Sequence, residues 1–544
     1  MKRRNFHLMA VLCAAGYAAA VWWVFTRSTP LVTARPVTIR VAHWQIEKGP
    51  PDGFAAVIRR YEELNPRVKV EQVTVPSPVY RQWVRTNLTG GTATDIMEFG
   101  YWLGGMSDVP VRYFEPLTRV MNEPNPYNRG TPLEVVPWRL TFTDGLYFML
   151  SQSPEIGQIY GATLAQGSMR LYCNRELLER ITGKPAAAPR TFADFRRLCR
   201  EVADYSQRTG RVVHPLAGSY GNALWLIDFL MFGSVTGMNL SLDREGYLAR
   251  TPGQAQADYL QGRWSYRRPE LKAGLTLVRE MTQQMRPGFT QLGRDAALQE
   301  FMVGEALFIF TGSWDATSLK RLATFPVTVM RFPQPAKDDP VVGPYLQGPF
   351  QDGAVGTSME MYLNKGSRHK EEALDFMRFM TSVEGGQLFM EHSGWLSSVR
   401  GVRVPPEMEI FRPRSDGCTA GLQYTGVGSS STMAFWQNLN LLVSAQGSVD
   451  QFVEAMEAGL PKLVTEDLRQ EVRTGVETSR ATDPEFMALG ALGRLQPPDP
   501  DRAQRQQILV SNQTLSEING YEAAWVLARR GVGQPAPSPV AAPK

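Results

Sequence analysis

Hydrophobic and polar residues alternate in short blocks along the chain that follows residue 36. Residues 37–44 and 68–75 are apolar or β-branched runs of strand length, and residues 95–99 form a third such run. Between these runs, apolar side chains recur at helical spacing in two segments, one beginning at Asp52 and the other after Pro78. Because strands and helices alternate, the pattern predicts a parallel sheet with helices on both of its faces.

A second series of alternating blocks extends to about residue 465, so the predicted fold class is α/β. Its most apolar strand covers residues 306–310, and the small residues 311–313 follow before Trp314. Beyond Thr465 the chain turns polar, which predicts a helical extension, and the proline-rich residues 535–544 are expected to be disordered. Further strands are predicted at residues 169–172, 327–332 and 359–363, and further helices at residues 175–181, 222–232, 271–285, 369–380, 434–442, 449–464 and 521–529.

Aromatic and polar side chains follow the carboxyl ends of several predicted strands. In an open α/β sheet, ligands bind beyond the carboxyl ends of the strands, so these side chains are expected to face a cleft. Asp315 could instead cap a helix, and a lone histidine such as His43 is more often structural than catalytic. The candidates at strand ends are Trp44, Gln45, Glu98, Trp102, Trp314 and Asp315.

The composition excludes several classes of protein. A chain of 544 residues is long enough for two to four structural units. Its 58 basic and 53 acidic residues leave a net charge of +5, too small an excess over this length to indicate a nucleic-acid partner. Four cysteines rule out a disulfide scaffold, and their spacing does not fit a zinc site. Cys173 and Cys199 could pair outside the cytoplasm, although Cys199 lies on an apolar helical stripe and is typical of a core thiol.

Known catalytic motifs are missing from the sequence. It contains no H-E-x-x-H, Walker A, G-x-G-x-x-G or G-x-S-x-G pattern, and no two of its five histidines have the spacing of metal ligands. The paired carboxylates at residues 62–63 and 371–372 lie on predicted helices among basic residues, as solvated helix faces do, whereas a glycosidase pair must converge in a cleft. The sequence therefore predicts a protein that is not an enzyme and has no metal or other cofactor.

The N-terminus has the pattern of an export signal. Lys2, Arg3 and Arg4 precede the uncharged, mostly apolar residues 8–25. Residues 18–20 are alanines and offer a cleavage site, but the apolar run continues beyond them to the lower length limit of a transmembrane helix. An uncleaved anchor is therefore favoured slightly over a cleaved signal peptide, with the rest of the chain outside the cytoplasm.

Several short motifs occur in order along residues 37–465. They are Asp144-Gly145-Leu146-Tyr147 with Met169-Arg170-Leu171-Tyr172-Cys173-Asn174-Arg175, Pro189-Arg190-Thr191-Phe192-Ala193-Asp194-Phe195, Gly304-Glu305-Ala306 with Gly312-Ser313-Trp314, Leu363-Asn364-Lys365-Gly366-Ser367 with Ala373-Leu374-Asp375-Phe376-Met377, and Met433-Ala434-Phe435-Trp436. Each is weak alone, but in this order they resemble the extracytoplasmic solute-binding proteins of ABC importers, in the carbohydrate-binding, maltose-binding protein-like family. Cys173 and Phe192 depart from the family pattern, which has Tyr and Trp at these positions.

The resemblance implies a two-lobed periplasmic-binding-protein fold with a sugar held between the lobes. Each lobe would be a mostly parallel sheet with helices on both faces, and the lobes would close by hinge bending. Removal of the extension after Thr465 is expected to leave binding largely intact. The implied units are the anchor and linker (1–36), lobe I (37–147 and 355–400), lobe II (148–354 and 401–465), the helical extension (466–534) and the disordered tail (535–544), with hinges near 145–150, 350–356 and 398–405.

The resemblance also implies which side chains contact the sugar. Trp314 and Trp436 match positions where the family stacks aromatic rings on sugars. Flat rings suit the C–H surfaces of a sugar and polar groups suit its hydroxyls. Positional candidates are Trp44, Trp102 and Trp225, the last also suited to the core, and polar candidates are Glu98, Asp315 and Gln45, whereas Trp83 and Trp138 are expected in the core.

Three functions stay open at this point. The resemblance implies a monomeric carbohydrate-binding subunit that delivers its ligand to the permease of an ABC importer. A glycoside hydrolase would share the aromatic cleft but would need convergent carboxylates. A membrane-tethered sensor would bind the solute and report occupancy to a membrane partner.

Overall fold

The structure is a computed structural model that describes residues 37–531 apart from residues 48, 101–108, 147–157, 184–187, 244–250, 350–351, 415, 419–423, 496 and 498. The expected anchor at residues 8–25, the candidate Trp102 and the proline-rich tail lie outside the described residues. The strands are β1 (Val37–His43), β2 (Val68–Thr74), β3 (Ile96–Glu98), β4 (Gly161–Asn174), β5 (His214–Ala217), β6 (Ala306–Gly312), β7 (Val327–Met330) and β8 (Gly353–Leu363).

Helices surround these strands. The α-helices are α1 (Pro50–Leu64), α2 (Ser77–Gly90), α3 (Val109–Tyr113), α4 (Thr118–Met121), α5 (Arg175–Thr182), α6 (Phe192–Thr209), α7 (Tyr220–Leu242), α8 (Pro252–Leu260), α9 (Pro269–Thr282), α10 (Arg294–Met302), α11 (Ala316–Leu322), α12 (Lys370–Met380), α13 (Val383–Ser393), α14 (Ser429–Val443), α15 (Val449–Leu495) and α16 (Pro500–Gly531).

The strands form one sheet that is shared by two lobes. The strand order is β2-β1-β3-β8-β4-β6-β5, with β7 also paired to β4. The pairs β1–β2, β1–β3 and β5–β6 are parallel, whereas every pair that involves β4 or β8 is antiparallel. The sequence correctly predicted a two-lobed α/β fold. Strands β1–β3 lie on one side of β4 and β8 in the sheet, which is called lobe I here, and β5–β7 lie on the other side, which is called lobe II.

Each lobe has its own hydrophobic core. In lobe I, Ile39 and Ile96 on neighbouring strands are fully buried against Phe54 of α1 and Phe376 of α12. In lobe II, the apolar strand β6 is buried along its whole length, as its composition predicted. Its residue Phe310 contacts the ring of Phe229 on α7 at a tilted angle and packs edge to face on the ring of Phe332, which follows β7.

The crossing strands are longer than the sequence indicated. The pattern predicted strands at residues 169–172 and 359–363, but β4 begins at Gly161 and β8 at Gly353. The added residues are rich in Gly and Ala, which are depleted in strands, so they give little strand signal of their own. At Gly161 a Cβ atom would lie 2.8 Å from the ring of Tyr362 on β8, so the close pairing of the two strands requires glycine there. Pairing across the sheet thus overrides local propensity in this region.

The C-terminal extension is a helical hairpin that shares the lobe II core. Helix α15 continues through residue 465 without a break, and its residue Leu468 is fully buried. The Asp467 carboxylate accepts the backbone N–H groups of Ser430 and Ser431 at 2.8 and 2.9 Å, which caps the start of α14. Leu509 and Val526 of α16 are also buried. Removal of the chain after Thr465 would therefore cut into the core, which contradicts the expectation of a dispensable extension.

Helix α7 is the one helix within the described residues that is long and apolar enough to cross a bilayer. Two thirds of its most apolar stretch is buried inside the protein, as in the core helix of a globular domain. Cys173 on β4 and Cys199 on α6 lie in the same lobe II core, and both are free thiols. Burial raises the pKa of each thiol, that of Cys199 to about 12, so both behave as apolar core residues.

Candidate functional site

The carboxyl ends of strands from both lobes converge where β4 crosses from lobe I to lobe II. Residues 161–168 of β4 pair with β8, and residues 169–174 pair with β6 and β7. Strands β1 and β3 run in the same direction as β4, because β3 and β4 are both antiparallel to β8. Strands β5 and β6 run in the opposite direction, toward lobe I. The strand-end residues of both lobes therefore converge at the boundary between the lobes, which is where an open α/β sheet binds its ligand and is called the cleft below.

Trp314 follows β6 on the lobe II side of this cleft. Its indole ring lies over Gly312, where a Cβ atom would be only 2.2 Å from the ring, so a larger residue does not fit at that position. The other edge of the ring is 3.6 Å from the place that a Cβ atom would take on Gly167 of β4. The half-buried side chain also packs against the lobe I core. Trp314 thus belongs to lobe II and contacts lobe I at the crossing strands.

Trp225 supports Trp314 from helix α7. The two indole rings meet edge to face, with centroids 5.2 Å apart and planes at 73°. Aromatic quadrupoles favour this arrangement, which fixes the orientation of both rings. Trp225 is half-buried, so it is not a fully enclosed core residue. Two of the aromatic side chains expected from the sequence are therefore in direct contact.

Asp228 lies one turn beyond Trp225 on α7 and was missed by sequence reasoning. The Thr425 hydroxyl donates a hydrogen bond to Asp228 Oδ1 at 2.9 Å. Burial raises the pKa of Asp228 to about 7, and the Thr425 hydrogen bond opposes that shift. The available signal was a single acid among the otherwise apolar residues 223–232. A carboxyl group in such a segment needs polar partners, and a ligand hydroxyl is one that fits.

Asp315 takes part in an ion-pair network that joins the lobes. It is buried, and it pairs with Arg294 at the start of α10. The same guanidinium contacts Glu47, which follows β1 in lobe I, at 3.0 Å. Thr311 Oγ1 donates to Asp315 Oδ2 at 2.5 Å. Burial raises the pKa of Asp315, although the Arg294 charge acts in the opposite direction.

The alternative role of Asp315 as a helix cap is wrong. Its side chain makes no capping hydrogen bond to α11, and its backbone is already in the helical region, with φ −86° and ψ −10°. Its carboxylate is occupied by Arg294 and Thr311 instead. The sequence missed this role because Arg294 and Glu47 are 247 residues apart.

Gln45, Glu98 and Trp44 meet at the lobe I edge of the cleft, as expected from their strand-end positions. Gln45 Nε2 donates to Glu98 Oε1 at 2.7 Å, and the Trp44 backbone N–H donates to Glu98 Oε2 at 3.3 Å. Glu98 is fully buried, which raises its pKa well above the usual range. The Trp44 ring is half-buried and packs edge to face on Tyr80, with centroids 5.2 Å apart. Glu98 thus holds the loop that presents Trp44.

His43 is buried beneath this loop. Its Nε2 is 2.8 Å from Gln72 Oε1, and its ring stacks on Phe54 with centroids 4.6 Å apart. Burial lowers the pKa of His43 to about 4, so the imidazole is neutral at physiological pH. These contacts assign His43 to the core of lobe I, in agreement with the structural alternative.

Trp436 lies on α14. Within the described part of the chain, its ring makes no aromatic contact with Trp314 or Trp225. It packs edge to face against Tyr220, at the start of α7, with centroids 5.4 Å apart, and against Phe435 at 5.2 Å. Tyr220 is 41% exposed and was not expected at the site. Because Tyr220 and Trp225 both lie in the first two turns of α7, this helix carries both aromatic pairs.

The crossing strands are held together by a buried arginine. Arg170 on β4 is fully buried, and it pairs with Asp352, the residue before β8, at 3.2 Å. Its guanidinium also donates to the backbone carbonyls of Ile410 and Arg412 at 2.5 and 2.8 Å. Asp352 pairs in addition with Arg331, which follows β7. Burial lowers the pKa of Arg170 to about 10, but the group remains charged near neutral pH.

Metal ligands are not clustered in the described part of the chain. No group of three or more His, Cys, Asp or Glu side chains there could hold a metal ion. The carboxyl groups near the cleft are instead hydrogen-bonded, as Glu98 and Asp228 are, or paired with Arg294, as Glu47 and Asp315 are.

The overall arrangement is similar to several solved structures. The GacH receptor of Streptomyces glaucescens, solved unliganded and with acarbose, has a TM-score of 0.55 and 14% identity over 79% of this chain and 98% of its own. An ABC transporter solute-binding protein from Thermotoga lettingae, bound to α-D-tagatose, has a TM-score of 0.54 and 12% identity over 78% and 99% of the two chains. Maltose-bound MalE3 of T. maritima has a TM-score of 0.53 and 18% identity over 78% and 100%. At these identities the similarity establishes the fold.

The family itself is established by the sequence match. No curated protein sequence matches the chain significantly. Residues 56–409 match the family model of the bacterial extracellular solute-binding proteins, and this span covers most of both lobes. The chain therefore belongs to the bacterial extracellular solute-binding protein family.

Proposed function

We propose that the protein is the carbohydrate-binding subunit of an ABC import system and works outside the cytoplasm. It binds a sugar or oligosaccharide between its lobes and delivers it to a membrane permease, without chemical turnover. Its family is extracellular, and three proteins of the same fold are described with acarbose, tagatose or maltose. The observation that carries the proposal is the position of Trp314 at the crossing of the strands.

Trp314 has the properties of a sugar-binding ring. It follows a fully buried strand, but its own side chain is only half-buried, and Trp225 holds it by edge-to-face contact. Sugar binding needs a flat, rigid aromatic face for C–H groups together with polar partners for hydroxyls. Asp228, one turn from Trp225, supplies a carboxyl group of this kind. Trp44 and Gln45 follow β1 on the lobe I side of the cleft. We propose that Trp436 also contributes to the site, and the role expected for Trp102 from the sequence stays a prediction.

Hinge closure follows from this arrangement. We propose that the chain passes from one lobe to the other within β4 and β8, because residues 161–168 of β4 pair with β8 on the lobe I side. The boundaries expected from the sequence, residues 37–147 with 355–400 and residues 148–354 with 401–465, place all of β4 in lobe II and end lobe II inside α15, so they need this adjustment. The Glu47–Arg294 contact joins lobe I to lobe II at 3.0 Å, so it stabilises a closed arrangement of the cleft. A ligand between Trp314 and Trp44 would add contacts to both lobes and would shift the equilibrium further toward closure.

A hydrolase receives less support from the site. Glycoside hydrolysis needs two carboxyl groups that flank the scissile bond. Glu98 is fully buried and hydrogen-bonded to Gln45, and Asp315 is paired with Arg294. Neither carboxylate is free to act on a glycosidic bond in this arrangement. The proposal therefore names binding rather than catalysis.

The proposal is tested by a thermal-shift screen of the purified protein against a saccharide panel, followed by calorimetric titration of the hits. A ligand bound only by the native state raises the melting temperature. Trp314→Ala should weaken binding, whereas Trp525→Ala, a control on α16 with a 41% exposed ring, should not. Chromatography of the bound saccharide should return it unchanged. Hydrolysis products would assign the chain to the enzymes, and the absence of any saccharide binding would overturn the proposal.

Attachment to the membrane is a separate part of the proposal. The apolar residues 8–25 favour an uncleaved anchor that leaves the lobes outside the cytoplasm. Fractionation of expressing cells should recover the full-length chain with the membranes. Recovery of a soluble mature chain beginning near Val21 would show a cleaved signal peptide instead.

A further inference from the structure

A cavity of about 540 Å³ lies in lobe II beside the crossing strands. This volume is typical of small-ligand sites, which span about 300–1,000 Å³. Phe332 and Leu346, both buried, supply apolar wall. Because each proline ring fixes its backbone φ, the proline-rich wall is rigid and its shape is formed before a ligand arrives. The prolines of the wall are Pro189, Pro333, Pro335 and Pro349.

The side chains around this cavity carry an excess of positive charge. The single acid among the lining residues is Asp352, and its carboxylate is already neutralised by Arg331 and the buried Arg170. Arg414 pairs with the exposed Asp416 at 3.3 Å. No ion pair joins Arg190 or Lys337 to another side chain in the described part of the chain, although both line the cavity. A rigid concave surface with uncompensated cations is suited to an anionic group.

The cavity is adjacent to the proposed sugar site. Trp314 lies against Gly167 of β4, and the next residue of that strand, Ser168, pairs with Gly353, which follows the cavity residue Asp352. The Met169 backbone N–H donates to the Asp352 carbonyl at 2.8 Å. Alternate residues of a strand share a face, so Gly167 and Met169 lie on the same face, and Met169 packs on the core that contains Phe332. Trp314 and the cavity thus both lie against β4 within a few residues of each other, Trp314 at Gly167 and the cavity residue Asp352 at Met169.

We propose that this cavity is a subsite for an anionic group of the saccharide ligand, a carboxylate or a phosphate, so that the protein takes acidic carbohydrates. This inference rests on the proposed function of the cleft. The neutral ring of the ligand stacks on Trp314, while the anion enters the cavity and accepts charge-assisted hydrogen bonds from Arg190 and Lys337. The aromatic and apolar wall of the cavity then covers the rest of the sugar unit that carries the anion.

The test compares matched acidic and neutral saccharides by calorimetric titration of the full chain. The pairs are uronic acids, and oligomers of them, against the corresponding neutral sugars, and a sugar phosphate against its parent sugar. The variant Arg190→Gln/Lys337→Gln removes the two uncompensated charges without breaking an ion pair. The matched control Arg208→Gln/Lys462→Gln removes two exposed charges elsewhere. Thermal unfolding of both variants checks that each folds like the wild type.

We expect the wild type to prefer the acidic member of a pair by about tenfold or more, since each charged hydrogen bond contributes substantially to binding. That preference should weaken with added salt and disappear in Arg190→Gln/Lys337→Gln but not in the control. Preference for the uronate or for the sugar phosphate identifies which anion is taken. Equal affinity for the acidic and neutral members, with Trp314-dependent binding intact, would refute the subsite alone. Failure of every saccharide would refute the proposed function. Binding of inorganic phosphate without any saccharide preference would also overturn the inference.

Discussion

Substitution of Trp314 tests the site most directly, because the position of its ring at the crossing strands is the observation on which the proposed function rests. Trp314→Leu keeps an apolar group against Gly167 and Trp225 but removes the flat ring. Stacking of a nucleobase on an aromatic side chain contributes on the order of 1–3 kcal/mol, and we take the same range for the C–H face of a sugar on Trp314. We therefore expect Trp314→Leu and Trp314→Ala to weaken saccharide binding by about 5- to 140-fold.

The effect on stability should differ between the two variants. Truncation of a fully buried Trp to Ala costs about 3–5 kcal/mol, and an aromatic pair adds about 0.5–1.5 kcal/mol to its packing. Because Trp314 is only half-buried, Trp314→Ala should lose about 2 kcal/mol of unfolding free energy, and Trp314→Leu less. Calorimetric titration and chemical denaturation of the same samples give both quantities, with Trp525→Ala as the control.

Unchanged affinity in both variants, together with a stability loss above about 3 kcal/mol for Trp314→Ala, would contradict this reasoning. It would show that Trp314 packs the two lobes and does not contact the ligand. Equal losses of affinity for Trp314→Leu and Trp525→Ala would instead indicate a global change in the protein.

Three further predictions follow from the contacts of the cleft and the hairpin. Burial raises the pKa of Asp228 to about 7 in the folded protein, against about 4 in the unfolded chain. The contribution of Asp228 to stability is therefore complete below pH of about 4 and is lost as the pH rises through about 7. Asp228→Asn should therefore raise the melting temperature more at pH 8 than at pH 5, and an equal shift at both pH values would count against the buried carboxyl. Glu47→Gln removes the ion pair between the lobes, so it should change stability little but enlarge the radius of gyration of the unliganded protein in small-angle scattering. Arg294→Met leaves Asp315 buried without its cation and should lower the free energy of unfolding by about 3–5 kcal/mol. A chain that ends at Thr465 should fail to fold cooperatively because it lacks Asp467 and Leu468, while a chain that ends at Gly531 should melt like the full-length protein.

Local patterns were sufficient for much of the fold. The alternation of strand and helix periods predicted the α/β class, and the uniformly apolar residues 306–310 predicted the buried strand β6 with Trp314 after it. The strand-end rule also placed Gln45 and Glu98 near each other, and they are hydrogen-bonded. These features depend on short stretches of chain and on the direction of parallel strands, which a sequence reveals.

Tertiary structure decided the contacts that define the cleft. The Trp225–Trp314 pair, the hydrogen bond between Thr425 and Asp228 across 197 residues, and the Glu47–Arg294 ion pair all join distant segments. The length of β4 was also decided by pairing, since its weakly patterned residues 161–168 are held by β8. Long-range partners have no periodic signature in the chain, because they are set by how the two lobes pack around the crossing strands. The sequence by itself therefore determined the elements and the edge of the sheet at which we propose that a ligand binds, while only the packing of the lobes decided which side chains meet there.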